Sequence, residues 1–151
     1  MPRHWTLPSI PPHDFFLSLD VESYWDHEHQ PELIYEEGFL RPLRLKERGV
    51  LTRIRFNGDI EAPSFHIECS ESLDEDEMQE ANQQLSRILG TSLDCRPLYE
   101  MASKDRVLAP MLTEYYGHKR ISRATLFEET VNRIVQMNLS HKPTARKMMY
   151  K

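Results

Sequence analysis

The hydrophobic period of this sequence changes once, just after Ser70, and that change constrains the fold more than length or composition does. Before it, apolar and polar residues alternate, as half-buried strands require; after it, apolar residues recur at helical spacing. Phe15, Leu17, Leu19 and Val21 alternate with Phe16, Ser18 and Asp20, which predicts a first strand. A polar, His-rich stretch from Tyr24 to Glu32 leads to Leu33 to Tyr35, and Glu36-Glu37-Gly38 predicts a turn into Phe39 to Leu45. Lys46 to Gly49 supplies another turn. Val50, Thr52, Ile54 and Phe56 then share a face from which Arg53 and Arg55 point away. Asn57-Gly58 is a two-residue hairpin signal, and Phe65, Ile67 and Cys69 alternate with Ser64, His66 and Glu68. The expectation is an antiparallel sheet of about five strands.

Past Ser70, Met78, Ala81, Leu85, Ile88 and Leu89 fit one helical stripe. The acidic cluster Asp74 to Glu77 suits the positive end of that helix, and Gly90 suits its stop. Asp94 is placed to cap a short helix with Pro97 in its first turn, and Val107, Leu108, Met111, Leu112 and Tyr115 predict another, closed by Gly117. Thr125 and Glu128 form a capping box ahead of Phe127, Val131, Ile134 and Val135, and Ser140 is placed to cap a last helix with Ala145, Met148 and Met149. Strands followed by helices make an α+β fold. We divide it into a sheet-plus-helix unit over 1–92 and a helical unit over 93–151. Met148-Met149-Tyr150-Lys151 stops inside the apolar pattern without a Gly cap, so the helical unit is expected to be incomplete; a frayed end of a small complete protein is the alternative.

At 39% hydrophobic residues the 151-residue chain has enough apolar material for a core, which excludes a disordered protein. It has no apolar run long enough to span a membrane, and Pro2, Pro8, Pro11 and Pro12 interrupt the start where a secretion signal would be unbroken, so a soluble, cytoplasmic protein is expected. Cys69 and Cys95, without partner cysteines at metal spacing, point away from a disulfide framework or zinc module. The net charge of −5 conceals a division: residues 1–103 carry −11 and residues 104–151 carry +6. The last third is where a phosphate-contacting surface is expected.

Asp105-Arg106-Val107-Leu108-Ala109 through Gly117, then Leu126-Phe127-Glu128-Glu129-Thr130-Val131-Asn132-Arg133-Ile134-Val135, Asn138-Leu139-Ser140 and Ala145-Arg146-Lys147-Met148, resemble the DNA glycosylases of the helix-hairpin-helix superfamily, of the 3-methyladenine and 8-oxoguanine type. The likeness is specific over about residues 84–151 and architectural upstream, where Pro12-x-Asp14 is similar to the family's start. It implies an antiparallel sheet with a packed helix, resembling half of the TATA-binding protein, followed by the opening of the helical glycosylase domain. It also implies double-stranded, damaged DNA as the partner and, in a complete enzyme, hydrolysis of the N-glycosidic bond.

By the same resemblance the loop from Gln136 to Ser140 enters the gap left by an extruded nucleotide, with Asn138 as the inserted side chain. Ser140 would offer backbone N–H groups to a phosphate, with Lys142, Arg146 and Lys147 adding charge. The family's carboxylate and, in one branch, its nucleophilic lysine lie beyond the last helix, as does its glycine-rich hairpin: the glycines here are Gly38, Gly49, Gly58, Gly90 and Gly117. No catalytic residue, cofactor or metal is therefore expected in this chain.

Two rivals remain. His27-Glu28-His29, with His13, His66 and Cys69, offers ligand types for a metal but no third ligand at fixed spacing. A non-catalytic protein-interaction module would use the acidic helix from Asp74 to Glu80. Under the truncated reading, the uncovered stripes on the C-terminal helices also offer a homodimer interface.

Overall fold

The computed structural model describes residues 3–21, 32–137, 144 and 147. One five-stranded antiparallel sheet is built from β1 (His4–Pro8), β2 (Leu33–Tyr35), β3 (Gly38–Leu45), β4 (Arg48–Asn57) and β5 (Ser64–Cys69), in the order β1-β5-β4-β3-β2. Five helices accompany it among the described residues: α1 (Phe15–Val21), α2 (Glu75–Leu89), α3 (Arg96–Ala102), α4 (Ala109–Glu114) and α5 (Leu126–Met137). The α+β class expected from the change of period is the class observed.

The strand expected over Phe15 to Val21 is instead helix α1. Phe15, Ser18 and Leu19 are its buried residues, so the run satisfies helical spacing as well as period two, and a short apolar run cannot separate the two. Asp14 decides it: its carboxylate accepts from Leu17 N at 2.9 Å and its carbonyl from Ser18 N at 3.1 Å, which nucleates a turn. The edge of the sheet is taken by β1, which pairs with β5 from His4↔Glu68 to Pro8↔Ser64. Pro8 is tolerated there because an edge strand has a side that needs no donor.

The expected two-residue hairpin at Asn57-Gly58 is also replaced. Strands β4 and β5 pair as far as Asn57↔Ser64, so residues 58–63 form the connection. Asp59 Oδ1 accepts from both Glu61 N and Ala62 N at 2.8 Å and holds this longer loop in shape. Helix α2 follows expectation closely. Asp74 and Glu77 cap each other's backbone, Ala81, Leu85, Ile88 and Leu89 face the sheet, and Gly90 ends the helix at φ 66. The stripe from Val107 to Tyr115 does not: only Ala109–Glu114 is helical, and none of its residues is buried.

The core lies on one face of the sheet. Phe39, Ile54, Phe65 and Ile67 from the strands meet Phe15 and Leu19 of α1, Leu85 and Ile88 of α2, and Ile121 and Ala124 from the segment before α5. On the other face Thr6, Leu51, Arg53 and Asn57 stand exposed. Among the described residues no helix is long and apolar enough to cross a membrane.

Gly38 opens β3 for a reason other than turn geometry. A Cβ there would lie 1.9 Å from Ile54 O, in the neighbouring strand's backbone, whereas a Cβ on Gly49 would meet nothing within 4 Å. Gly38→Ala is therefore expected to cost more than about 2 kcal/mol in urea unfolding, while Gly49→Ala changes stability by less than about 0.5 kcal/mol. Equal effects of the two would contradict the close approach.

Candidate nucleic-acid interface

Of the residues the sequence assigns to DNA contact, Asn138, Ser140, Lys142 and Arg146 lie outside the described residues, and Lys147 is helical and exposed. What is described is the element that leads to them. Helix α5 begins at the predicted cap, with Thr125 Oγ1 accepting from Glu128 N at 3.1 Å. The reciprocal half differs from the expected box, because the Glu128 carboxylate reaches Ala124 N at 3.3 Å and, more closely, Arg41.

The positive charge of the last third is only partly available to a partner. Lys119 is buried, its ammonium donating to Ile10 O at 2.6 Å, Leu93 O at 2.8 Å and Ser9 Oγ at 3.4 Å. Arg123 is buried with its Nη1 3.6 Å from Glu32 Oε2. Arg120 and Arg133 both engage Glu129, at 3.1 and 2.9 Å. The sequence reading counted these four with the partner-facing charge. Lys119 and Arg123 are buried and Arg120 and Arg133 pair with Glu129 at the surface, which a charge count cannot show.

Sequence reasoning missed the buried charges around Arg41. This residue sits on the inward register of β3 between Phe39 and Leu43, with 4% of its side chain exposed. Its Nη1 donates to Glu32 Oε1 at 2.5 Å, and its Nη2 donates to both oxygens of Glu128, at 2.9 and 2.7 Å. Burial pushes the Glu32 carboxyl up from its ordinary value while Arg41 and Arg123 oppose that shift. Burial likewise opposes the charge of Arg41, but Glu32 and Glu128 prevail and push it up. A charge at the second of four alternating inward positions, Phe39-x-Arg41-x-Leu43-x-Leu45, was the available signal.

The arginines of the sheet stand elsewhere. Arg53 lies over the Tyr35 ring at 5.8 Å and Arg55 is 3.8 Å from Glu37. The histidines proposed as metal ligands are not brought together where they are described. His13 is buried against Phe65, while His66 stacks on His4 across the open face. His27 to His29 lies outside the described residues, and among the described residues no group of three ligand types stands ready for a metal.

This arrangement, a five-stranded sheet with α2 on its inner face and further helices after it, is a fold found in DNA glycosylases. The solved structures that match include the 3-methyladenine DNA glycosylase from Archaeoglobus fulgidus, with a TM-score of 0.78 at 17% identity. The match covers 97% of this chain and 48% of that one, so the chain spans about half the length of the solved protein. The sequence matches no family model and no curated protein. At this identity the likeness establishes the fold.

Beside Lys119, the Ser9 hydroxyl and His13 Nδ1 share a hydrogen bond of 2.8 Å. Burial, with Lys119 and His118 nearby, holds the His13 pKa down at about 3. His13 is therefore neutral in the fold and free to protonate once unfolded, so the unfolded state binds more protons below the ordinary value near 6.5. Stability is full above that pH and falls as pH drops toward 3. Between pH 6.5 and 5 the loss from this residue should be about 2 kcal/mol, and His13→Asn should flatten the slope in urea titrations. An identical slope in the variant would remove His13 as its source.

Proposed function

We propose that this chain is the N-terminal portion of a DNA base-excision repair glycosylase, with a sheet unit over 1–92 and the opening of the helical glycosylase domain over 93–151. The observation that carries the reading is the match of 97% of the chain to a 3-methyladenine DNA glycosylase at a TM-score of 0.78. In this reading the chain supplies the scaffold and part of the surface for damaged double-stranded DNA in a soluble, cytoplasmic enzyme, and other residues supply the chemistry.

A glycosylase must extrude the nucleotide, offset its lost stacking, and stabilise an oxocarbenium-like sugar with a carboxylate. Asn138 takes the inserting role, and Ser140, Lys142, Arg146 and Lys147 hold phosphates. The two described carboxylates that come last before that segment in the sequence, Glu128 and Glu129, are committed to Arg41 and to Arg120 and Arg133. Neither is offered as a catalytic group.

The second reading is a non-catalytic interaction module; the acidic helix from Asp74 to Glu80, its surface as read from the sequence, pairs with Lys46 and Arg48, and α5 offers an apolar surface instead. Phe127 is 77% exposed and Ile134 is 56% exposed, while Leu126 and Met137 are also open to solvent. The same stripe supports pairing of two copies, since a contiguous apolar surface lowers its free energy by being covered.

Incubated with duplexes carrying 3-methyladenine, hypoxanthine or 8-oxoguanine, the chain should release no base. Turnover abolished by a point substitution within the chain would contradict the absence of catalytic groups. Fluorescence anisotropy should show weak, salt-dependent binding to duplex DNA. Replacing Lys142, Arg146 and Lys147 with Ala should lower the salt slope by up to about 3, and Arg53→Ala with Arg55→Ala should leave it nearly unchanged. No binding at low salt, with capture of a protein partner through α5, would favour the module. In light scattering, pairing predicts an apparent mass that rises with concentration and falls to the monomer in Phe127→Glu; a monomer at every concentration would exclude pairing.

A further inference from the structure

Helix α5 is turned against the usual sense of an amphipathic helix. It contributes no residue to the hydrophobic core cluster; among its described side chains Asn132, 6% exposed and one turn after Glu128, is the buried one, with Val131 and Val135 half-buried. Phe127 and Ile134 face away from the protein. An amphipathic helix free to choose would roll until those two were covered.

The buried charges explain why it does not. The fork of Arg41 grips two carboxylates from different parts of the chain, Glu32 ahead of β2 and Glu128 in the first turn of α5. Arg123, from the segment leading into α5, closes on the far oxygen of Glu32. Rolling α5 to bury Phe127 would withdraw Glu128 from the buried guanidinium of Arg41. Desolvated groups of this kind give little net stability when paired but oppose every arrangement that separates them. Only an arginine has the planar donors to hold both carboxylates at once.

We propose that Arg41 is a positioning residue: it fixes the rotation of α5 against the sheet, keeps the apolar stripe outward, and thereby sets where the chain emerges after Met137. This goes beyond the DNA reading and does not depend on it, because the orientation of α5 is measurable without DNA. Where that reading holds, Arg41 acts through α5 and not by touching the nucleic acid.

The test uses the full chain. Arg41→Met removes the fork, Arg41→Lys keeps the charge without it, and Glu128→Gln releases only the α5 arm and leaves the bond from Arg41 to Glu32 in place. Hydrogen exchange over 126–137 should speed up by about tenfold or more in Glu128→Gln and Arg41→Lys, with β3, β4, β5 and α2 unchanged. Spin labels on Thr130 and Leu51 should give one narrow distance distribution in the parent chain and a broad or displaced one in each variant. If Arg41→Met does not fold, Glu128→Gln decides. Exchange and distances that match the parent would overturn the proposal, as would a uniform loosening of sheet and helix, which would make the pair a general stabiliser. Altered α5 distances with unaltered DNA affinity would uphold the positioning role and count against the DNA reading.

Discussion

A guanidinium in an apolar interior must be surrounded by acceptors, and much of this structure is arranged to meet that demand for Arg41. The position is fixed by the strand: Phe39, Leu43 and Leu45 face the core, so the residue between the first two must face it as well. Thr52, directly opposite on β4, donates its hydroxyl to Arg41 O at 2.7 Å and is itself buried. The side chain draws Glu32 to the edge of the sheet and Glu128 down from α5. A sheet face that could have been sealed by apolar side chains alone carries an ionic joint to the helix that follows.

The same solution recurs at Lys119. Its ammonium ties Ile10, before α1, to Leu93, after α2, and its backbone N–H donates to Ser18 Oγ at 3.0 Å. Burial holds the Lys119 pKa below its ordinary value, with Asp94 and Cys95 opposing, while carbonyl and hydroxyl oxygens accept its protons. Cations from the last third thus cross-link it to the sheet unit. Interior cations of this kind make sparse apolar contact serve a defined geometry, because each must return to its own acceptors.

The sequence made some of this legible and hid the rest for identifiable reasons. Helix α2 was readable because its stripe is long, its acidic cap is local and Gly90 ends it; all of that information lies within the segment. Strands β3, β4 and β5 were readable because one face is buried and the other is not, which preserves alternation. Over Phe15 to Val21 the run is too short for period to discriminate, and the deciding contact is made by Asp14 outside it. Strand β1 carries two prolines' worth of loop signals around it, and its role comes from pairing with β5, far along the chain. Charge balance pointed to the last third as a partner surface, but not to which of its cations the fold binds internally. Lys119 and Arg123 are taken inward by groups from residues 9–32 and 93, and pairing across such distances has no local signature.

Thiol reactivity at single introduced cysteines reads the rotation of α5 directly. Both native cysteines are buried, so the background is low. With modification rates extrapolated to low protein concentration, Phe127→Cys and Ile134→Cys should react at rates near those of an exposed thiol, and Asn132→Cys many times more slowly. The reverse order, with position 132 reactive and positions 127 and 134 protected, would show that the apolar stripe turns inward and that the charges around Arg41 do not set the helix.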